Sequence, residues 1–150
     1  MSTLRRTTVT NPDFIALVRQ LDAYLAVTDG DEHAFYDQYN QLDAIPHVIV
    51  AYQNDEPVGC GAIKPFSPTA MEVKRMYVVP AMRQRGIARQ ILTGLENWAA
   101  ELGCTKCVLE TGLRQVEAVR FYERAGYGRI PNYGPYVGMA NSVCFGKEVS

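Results

Sequence analysis

The chain has 150 residues, of which 47% are hydrophobic and 21% charged, a composition that excludes a disordered chain and suits one domain over residues 1–150. Fifteen Lys and Arg residues against 16 Asp and Glu residues leave a formal charge of −1, so we expect no nucleic-acid partner. No apolar run approaches the roughly 20 residues that cross a bilayer, so we expect no membrane span.

The N-terminal part of the chain is predicted to form one strand and two helices. The strand covers Leu4–Thr10. Asn11 is then suited to cap a helix, because its side chain can accept from first-turn amides, and Pro12 fits the first helical position. Apolar residues continue at helical spacing, namely Phe14, Leu17, Val18, Leu21 and Leu25. A second, shorter helix is predicted over Glu32–Leu42.

The middle of the chain predicts three consecutive strands. They cover His47–Gln53, Val58–Lys64 and Met71–Val79, and turns are predicted at Asn54–Pro57 and Pro65–Thr69. Such closely spaced strands favour an antiparallel meander.

Helices and strands alternate in the C-terminal half. The predicted elements are a helix over Gly86–Leu102, a strand over Lys106–Thr111, a helix over Val116–Ala125 and a last strand over Asn141–Val149. Their order predicts a mixed α/β (α+β) fold, in which the meander is followed by a strand–helix–strand crossover.

The segment Arg83–Ala88 joins a predicted strand to a predicted helix and has the composition of an anion-binding loop. A helix N-terminus presents unpaired amides, Gly86 allows close approach of a ligand, and Arg83 and Arg85 add charge. These features favour a phosphate or pyrophosphate. The alternative is that Gly86 only eases a turn. Neither the dinucleotide-binding Gly-x-Gly-x-x-Gly pattern nor the Gly-Lys-Ser/Thr pattern occurs here.

The strand that precedes this loop changes phase. Met71 and Val73 share one face, and Met76 and Val78 continue that face only if an extra residue lies near Lys74–Arg75. This pattern indicates a β-bulge, which would free main-chain groups to pair with an extended amide-bearing ligand. The alternative is an edge strand with both faces partly covered.

Three segments together resemble the GCN5-related N-acetyltransferase (GNAT) family. Arg83–Ala88 matches the signature Gln/Arg-x-x-Gly-x-Gly/Ala, Glu72–Val78 resembles the bulged strand of the family, and Ala118–Tyr127 resembles its motif Ala-x-x-Phe-Tyr-x-x-x-Gly-Phe/Tyr. The resemblance implies a central mixed sheet with an antiparallel N-terminal meander, a parallel pair after the bulged strand and helices on both faces.

The resemblance also implies acetyl-CoA as acyl donor, with no metal. It assigns the pyrophosphate to the signature loop and the pantetheine arm to the bulged strand. The residues it assigns to the cofactor are Met76, Tyr77, Val78, Arg83, Gln84, Arg85, Gly86, Ile87, Ala88, Gln115, Ala118 and Tyr122. Gln115 stands where the family usually has Asn.

Two residues are candidates for proton transfer. Glu72 matches the position of a catalytic glutamate in some family members and is the candidate base; the alternatives are a solvated glutamate paired with Lys74, and a base that is only water. Tyr122 matches a tyrosine that the family places near the thiolate and is the candidate acid; the alternative is a core tyrosine.

The acceptor site is expected to use Asp31, Tyr36 and Glu72, since acidic groups suit a cationic amine; a solvated acidic loop is the alternative. Asn132–Tyr136 is expected to roof that site or to form a homodimer contact. The sequence thus predicts an N-acetyltransferase for a primary amine of a small molecule. Two alternatives stay open: acetylation of a peptide or protein lysine or N-terminus, and a non-catalytic acyl-CoA-binding sensor.

The cysteines and the N-terminal residues indicate the cellular compartment in which the protein is expected. Cys104 and Cys107 have metal-ligand spacing, but no second pair completes a zinc site, so they are predicted to be core thiols. Four cysteines are too few for a disulfide scaffold, and Met1–Arg6 lacks the apolar core of a secretory signal. We therefore expect a cytoplasmic protein.

Overall fold

The computed structural model describes residues 2–29 and 45–149. The strands of this part of the chain form one seven-stranded sheet in the order β1-β2-β3-β4-β5-β7-β6. The strands are β1 (Thr3–Thr7), β2 (His47–Gln53), β3 (Glu56–Ser67), β4 (Ala70–Val78), β5 (Lys106–Gly112), β6 (Gly128–Ile130) and β7 (Ser142–Glu148).

Three helices accompany the sheet in the described residues: α1 (Pro12–Asp29), α2 (Ile87–Glu101) and α3 (Val116–Arg124). The predicted cap of α1 is confirmed, because Oδ1 of Asn11 accepts from the amides of Asp13 at 2.9 Å and Phe14 at 3.1 Å. α2 is bounded by Gly86 and Gly103, both at positive φ. The helix predicted over Glu32–Leu42 lies outside the described residues.

The strand directions confirm the predicted mixed sheet. β1 to β4 form an antiparallel meander, and β4 pairs in parallel with β5. β7 then pairs antiparallel with both β5 and β6. Two neighbouring parallel strands need a crossover connection, and α2 is the helix in the connection between β4 and β5.

The two faces of the sheet carry separate cores. α1 packs its apolar stripe on one face, where Phe14 and Leu17 meet Val48 and Val50. α2 and α3 pack on the other face, where the core contains Ile49, Ile63, Ile91, Leu95, Tyr122 and Phe145. Helices therefore cover both faces, as predicted, and the alternation along β2 sends neighbouring residues to opposite cores.

Two predicted strand ends are wrong, and one strand was not predicted. β1 ends at Thr7 rather than Thr10, because the chain turns there and the carbonyl of Thr8 accepts from the amide of Asn11 at 3.1 Å. β3 continues through Pro65, which lies opposite Met71. The short strand β6 was not predicted, since its three residues carry no alternating pattern.

Candidate active site

The predicted bulge is present in β4. Cys60 of β3 lies opposite Tyr77 and Ala62 lies opposite Lys74, so two residues of β4 face one residue of β3. Arg75 adopts a φ of +60° within the bulge, and its carbonyl accepts a hydrogen bond from Sγ of Cys60 at 3.3 Å. The bulge bends β4 in the middle of the sheet.

β4 and β5 separate next to this bulge. Their parallel pairing covers only Ala70–Glu72 on β4 and Lys106–Val108 on β5 in the described part of the chain. Beyond it the strands enclose a cavity of about 110 Å³, lined by β4, by the end of β5, by Leu21 and Leu25 of α1, and by α3. We call this cavity the cleft. Diverging parallel strands leave main-chain groups of β4 available to an extended ligand.

Glu72 lines the cleft and is buried, with 5% of its surface exposed. Its Oε2 accepts a hydrogen bond from the hydroxyl of Tyr133 at 2.7 Å, and its Oε1 lies 3.8 Å from Nζ of Lys74. The alternative of a solvated glutamate is therefore wrong, although the pairing with Lys74 is present. A buried carboxylate with a polar neighbour at each oxygen has a fixed orientation.

The segment Asn132–Tyr136 lies against this carboxylate. The ring of Tyr133 packs edge-on against Phe66 at 4.7 Å and against Tyr136 at 5.8 Å between ring centroids. Nδ2 of Asn132 donates to the carbonyls of Tyr136, Met139 and Ser142 at 3.1–3.2 Å. These contacts hold the segment over the Glu72 end of the cleft.

Lys74 is a second buried charge in the cleft. Its Nζ lies 3.4 Å from the hydroxyl of Tyr136. Burial lowers the pKa of Lys74, and the nearby carboxylates of Glu72 and Glu110 oppose that shift. Sequence reasoning named Lys74 only as a partner of Glu72. Its position two residues further along the same strand was the available signal that it shares that face.

Arg75 ties the bulge to α1. Its Nη1 donates to Oδ1 of Asp22 at 2.8 Å, and its side chain is 5% exposed against 37% for Asp22. The Nε of Arg75 is buried and has no hydrogen-bond partner among the residues that the structure describes. This ion pair was not predicted from the sequence, because 53 residues separate its members.

Tyr122 is buried and lines the cleft beside Gln115 and Ala118. Its ring packs against Phe121 at 5.1 Å and Tyr127 at 5.8 Å. Burial raises the pKa of Tyr122, because the phenolate would lose its hydration. The residue is thus a core tyrosine and a cleft residue at once, so the two interpretations of the sequence do not exclude each other.

The predicted anion-binding loop leads into α2 and is open. Arg83, Gln84, Arg85 and Gly86 are exposed. Gly86 adopts a φ of +82°, and a Cβ placed there would meet no atom within 4 Å. Above it the amides of the first helical turn have no intrahelical acceptor. The loop therefore has room for an anion at the α2 N-terminus.

Arg83 also braces the end of β4. Its Nε donates to the carbonyl of Val78 at 2.9 Å, and its guanidinium lies 5.7 Å from the ring centroid of Tyr24 and 5.6 Å from that of Tyr77. The side chains of Tyr77, Val78 and Ile87 belong to the two cores. We therefore expect a ligand to contact these three residues mainly through their main chain.

Other predicted features lie elsewhere. Asp31 and Tyr36 lie outside the described residues. Cys104 and Cys107 are buried free thiols, as predicted. Within residues 2–29 and 45–149, no three metal-ligating side chains lie together, and no helix is long and apolar enough to cross a membrane.

Two of the three segments that resemble the GNAT motifs, the bulged strand and α3, line the cleft, and the third, the open loop, follows the end of β4. The open N-terminus of α2, the bulge of β4 and the parted β4–β5 pair fit a diphosphate joined to an extended amide-bearing arm, which is the chemistry of coenzyme A. The fold and the cleft thus define an acyl-CoA-dependent acetyltransferase.

Comparison with known proteins supports this class. The model of the "Acetyltransferase (GNAT) family" matches residues 14–127, and the chain belongs to that family. An IAA acetyltransferase from Azospirillum brasilense is 31% identical over 124 residues, which are 81% of each chain.

Solved structures share the fold. A protein from Klebsiella pneumoniae that has been assigned as an acyl-CoA N-acyltransferase superimposes with a TM-score of 0.84 at 29% identity, covering 100% of this chain and 99% of that one. A GNAT family acetyltransferase from Elizabethkingia anophelis, solved with acetyl-CoA bound, gives a TM-score of 0.72 at 20% identity and covers 98% and 97%. The chain is an N-acetyltransferase with acetyl-CoA as its acyl donor.

Proposed function

We propose that this enzyme transfers the acetyl group of acetyl-CoA to a primary amine of a small molecule by direct attack of the amine on the thioester. The observation that carries the proposal is the buried Glu72 carboxylate in the cleft beside the bulge of β4. A base at this point can take the proton that an attacking amine must lose.

The donor is assigned to the open loop and to the main chain of β4. Arg83, Gln84, Arg85, Gly86 and the amides of Ile87 and Ala88 would hold the diphosphate, while Met76, Tyr77 and Val78 would pair with the arm. Gln115, Ala118 and Tyr122 would line the other side of the arm. Bound acetyl-CoA supplies an activated acyl carbon.

Proton transfer is assigned to two side chains. Glu72 takes a proton from the amine, whose nitrogen forms a bond to the acyl carbon as the bond from carbon to sulfur breaks. Tyr122 gives its proton to the departing thiolate. The phenol carries this proton at neutral pH, because a tyrosine ordinarily ionises near a pH of about 10 and burial raises the pKa of Tyr122 further.

The acceptor is assigned to the Glu72 end of the cleft. Tyr133 and Phe66 pack over this end, which supports a compact amine rather than a segment of folded protein. We also assign Asp31 and Tyr36 to acceptor binding, on the sequence analysis alone. The carboxylates of Asp31 and Glu72 would favour a cationic amine in the encounter.

A thiol-release assay tests the proposal. The purified chain is given acetyl-CoA with benzylamine, putrescine or glycine, and in parallel with an unstructured lysine peptide. Coenzyme A should be released faster when a small amine is the acceptor than when the peptide is. Faster release with the peptide would favour a protein acetyltransferase, and tight binding of acetyl-CoA without release on any acceptor would favour a sensor.

The remaining parts of the proposal concern the chain as a whole. We assign residues 1–150 to one domain, and four free buried thiols support a cytoplasmic location. We also predict that the chain forms a homodimer. Sedimentation equilibrium over a range of protein concentrations measures its molar mass and so tests this prediction.

A further inference from the structure

We propose that Tyr133 is a positioning residue for Glu72: its hydroxyl fixes one carboxylate oxygen so that the other faces the amine. This inference rests on the proposed role of Glu72 as the base. Tyr133 lies in the segment between β6 and β7, which the family motifs quoted above do not include. It therefore adds a residue to the site that the sequence resemblance does not assign.

The two oxygens of Glu72 have different environments. Oε2 accepts the 2.7 Å hydrogen bond from Tyr133, whereas the nearest charged group to Oε1 is Nζ of Lys74, at 3.8 Å. The first distance is that of a well-formed O–H···O hydrogen bond, and the second is too long for a hydrogen bond. Oε1 is therefore the oxygen with capacity to receive the amine proton.

Tyr133 is itself held in place from two sides. Its ring packs edge-on against Phe66 at the end of β3 and against Tyr136 in the same segment. Asn132 closes the segment by donating to three of its carbonyls. A hydroxyl on a clamped ring can fix a carboxylate without losing much side-chain entropy on binding, which is what a preorganised site requires.

Other groups in the cleft set the charge that Glu72 experiences. Lys74 comes from its own strand, Glu110 from β5, Tyr136 from the covering segment and Cys144 from β7. In the described ranges, Lys64, Arg75 and Tyr122 are further ionisable groups around the cleft. Tyr133 differs from these groups because, among the described residues, it is the one that donates a hydrogen bond to Glu72.

The variant Tyr133→Phe removes the hydroxyl and keeps the ring. We expect kcat to fall about tenfold, with little change in KM for acetyl-CoA. This is only part of the rate increase that a positioned base contributes, which is roughly 100- to 10,000-fold. The acid limb of the kcat/KM profile should move up by roughly half to one pH unit, because the carboxylate loses a donor that favours its charged form. The acceptor is whichever of benzylamine, putrescine and glycine reacts fastest.

Tyr52→Phe is the matched control. The hydroxyl of Tyr52 donates to Oδ2 of Asp13 at the same 2.7 Å, but on the α1 face of the sheet. This variant should keep the rate and the pH profile of the parent protein. If both variants change the rate equally, or if Tyr133→Phe leaves both kcat and the acid limb unchanged, Tyr133 does not position the base.

Two further measurements separate this inference from the role of Glu72. A Glu72→Gln variant with the parent rate would refute Glu72 as the base, whereas a slow Glu72→Gln with a fast Tyr133→Phe would refute only the positioning role. A crystal structure of the Tyr133→Phe variant tests the positioning role of Tyr133 even if no amine in the panel reacts. We expect the Glu72 carboxylate to turn away from its present place; an unmoved carboxylate would overturn the inference.

Discussion

The hydroxyl of Tyr133 and the carboxylate of Glu72 are joined by a 2.7 Å hydrogen bond, although 61 residues separate them in the chain. The bond connects the segment before β7 to the strand that carries the bulge. It encloses one end of the cleft, while the open loop before α2 lies beyond the other end of β4. The cleft therefore has a covered end at Glu72, to which we assign the acceptor, and the exposed loop lies at the other end of β4, to which we assign the anionic part of the donor.

Replacing Glu72 by Gln should remove the base and keep the shape. We expect kcat to fall about 100-fold or more, because a positioned general base contributes roughly 100- to 10,000-fold. The amide can still accept from Tyr133, so the covering segment should stay in place. Thiol release measures the rate, and titration calorimetry with coenzyme A should show unchanged affinity. Loss of coenzyme A binding in this variant would mean that Glu72 shapes the donor site instead.

Replacing Tyr122 by Phe should slow turnover and leave the donor in place. The ring keeps its edge-on contacts with Phe121 and Tyr127, so the fold should be preserved. Without the phenol the thiolate must take its proton from water, and we expect kcat to fall about tenfold. Thiol release and coenzyme A titration again separate the two effects. A parent rate in this variant removes Tyr122 from the mechanism.

The local features of the fold and the site were predictable from the sequence. Asn11 predicts the start of α1 because its short side chain can accept from amides of the first turn of that helix. Gly86 indicates a left-handed backbone conformation before α2. The phase change at Lys74–Arg75 predicts the bulge because alternation is a property of a single strand. Each signal depends on neighbours within a few residues.

The missed features depend on contacts between distant segments. No local pattern connects Tyr133 to Glu72, or Asp22 to Arg75, because the partners meet only when the sheet and α1 assemble. The three-residue β6 is likewise a strand only because β7 offers it a partner. The sequence thus predicted the bulge and the loop before α2 better than it predicted the surroundings of Glu72.

The ion pair between Asp22 and Arg75 should stabilise the fold. Asp22→Asn leaves the guanidinium, which is 5% exposed, without its carboxylate. We expect a loss of about 2 kcal/mol in the free energy of unfolding, less than for a fully buried pair because Asp22 is partly exposed. Urea unfolding measures it. Glu101→Gln is the control, because it breaks the exposed pair with Arg6 and should change stability little.

A glutamate at Gly86 should abolish donor binding. The φ of +82° strains any side chain, and a carboxylate there repels the diphosphate. Gly103→Glu is a matched control, since Gly103 at the other end of α2 has a φ of +89° and equally open surroundings. Both variants should lose similar stability, but only Gly86→Glu should lose coenzyme A affinity in calorimetry. Equal affinities in the two variants would show that the diphosphate binds elsewhere.

Alkaline pH should destabilise the protein through two buried thiols. Burial raises the pKa of Cys60 and of Cys107 from 9.0 to about 12. Above pH 9 the unfolded chain releases these protons and the folded chain does not, so the stability present below pH 9 is lost as the pH rises towards 12. The loss is about 1.4 kcal/mol per thiol per pH unit. Urea unfolding at pH 8.5 and pH 9.5, both below the pH of about 10 at which an unperturbed tyrosine is half ionised, should show this decline. The decline should be smaller in Cys60→Ala/Cys107→Ala, and an equal decline would assign the alkaline loss to other groups.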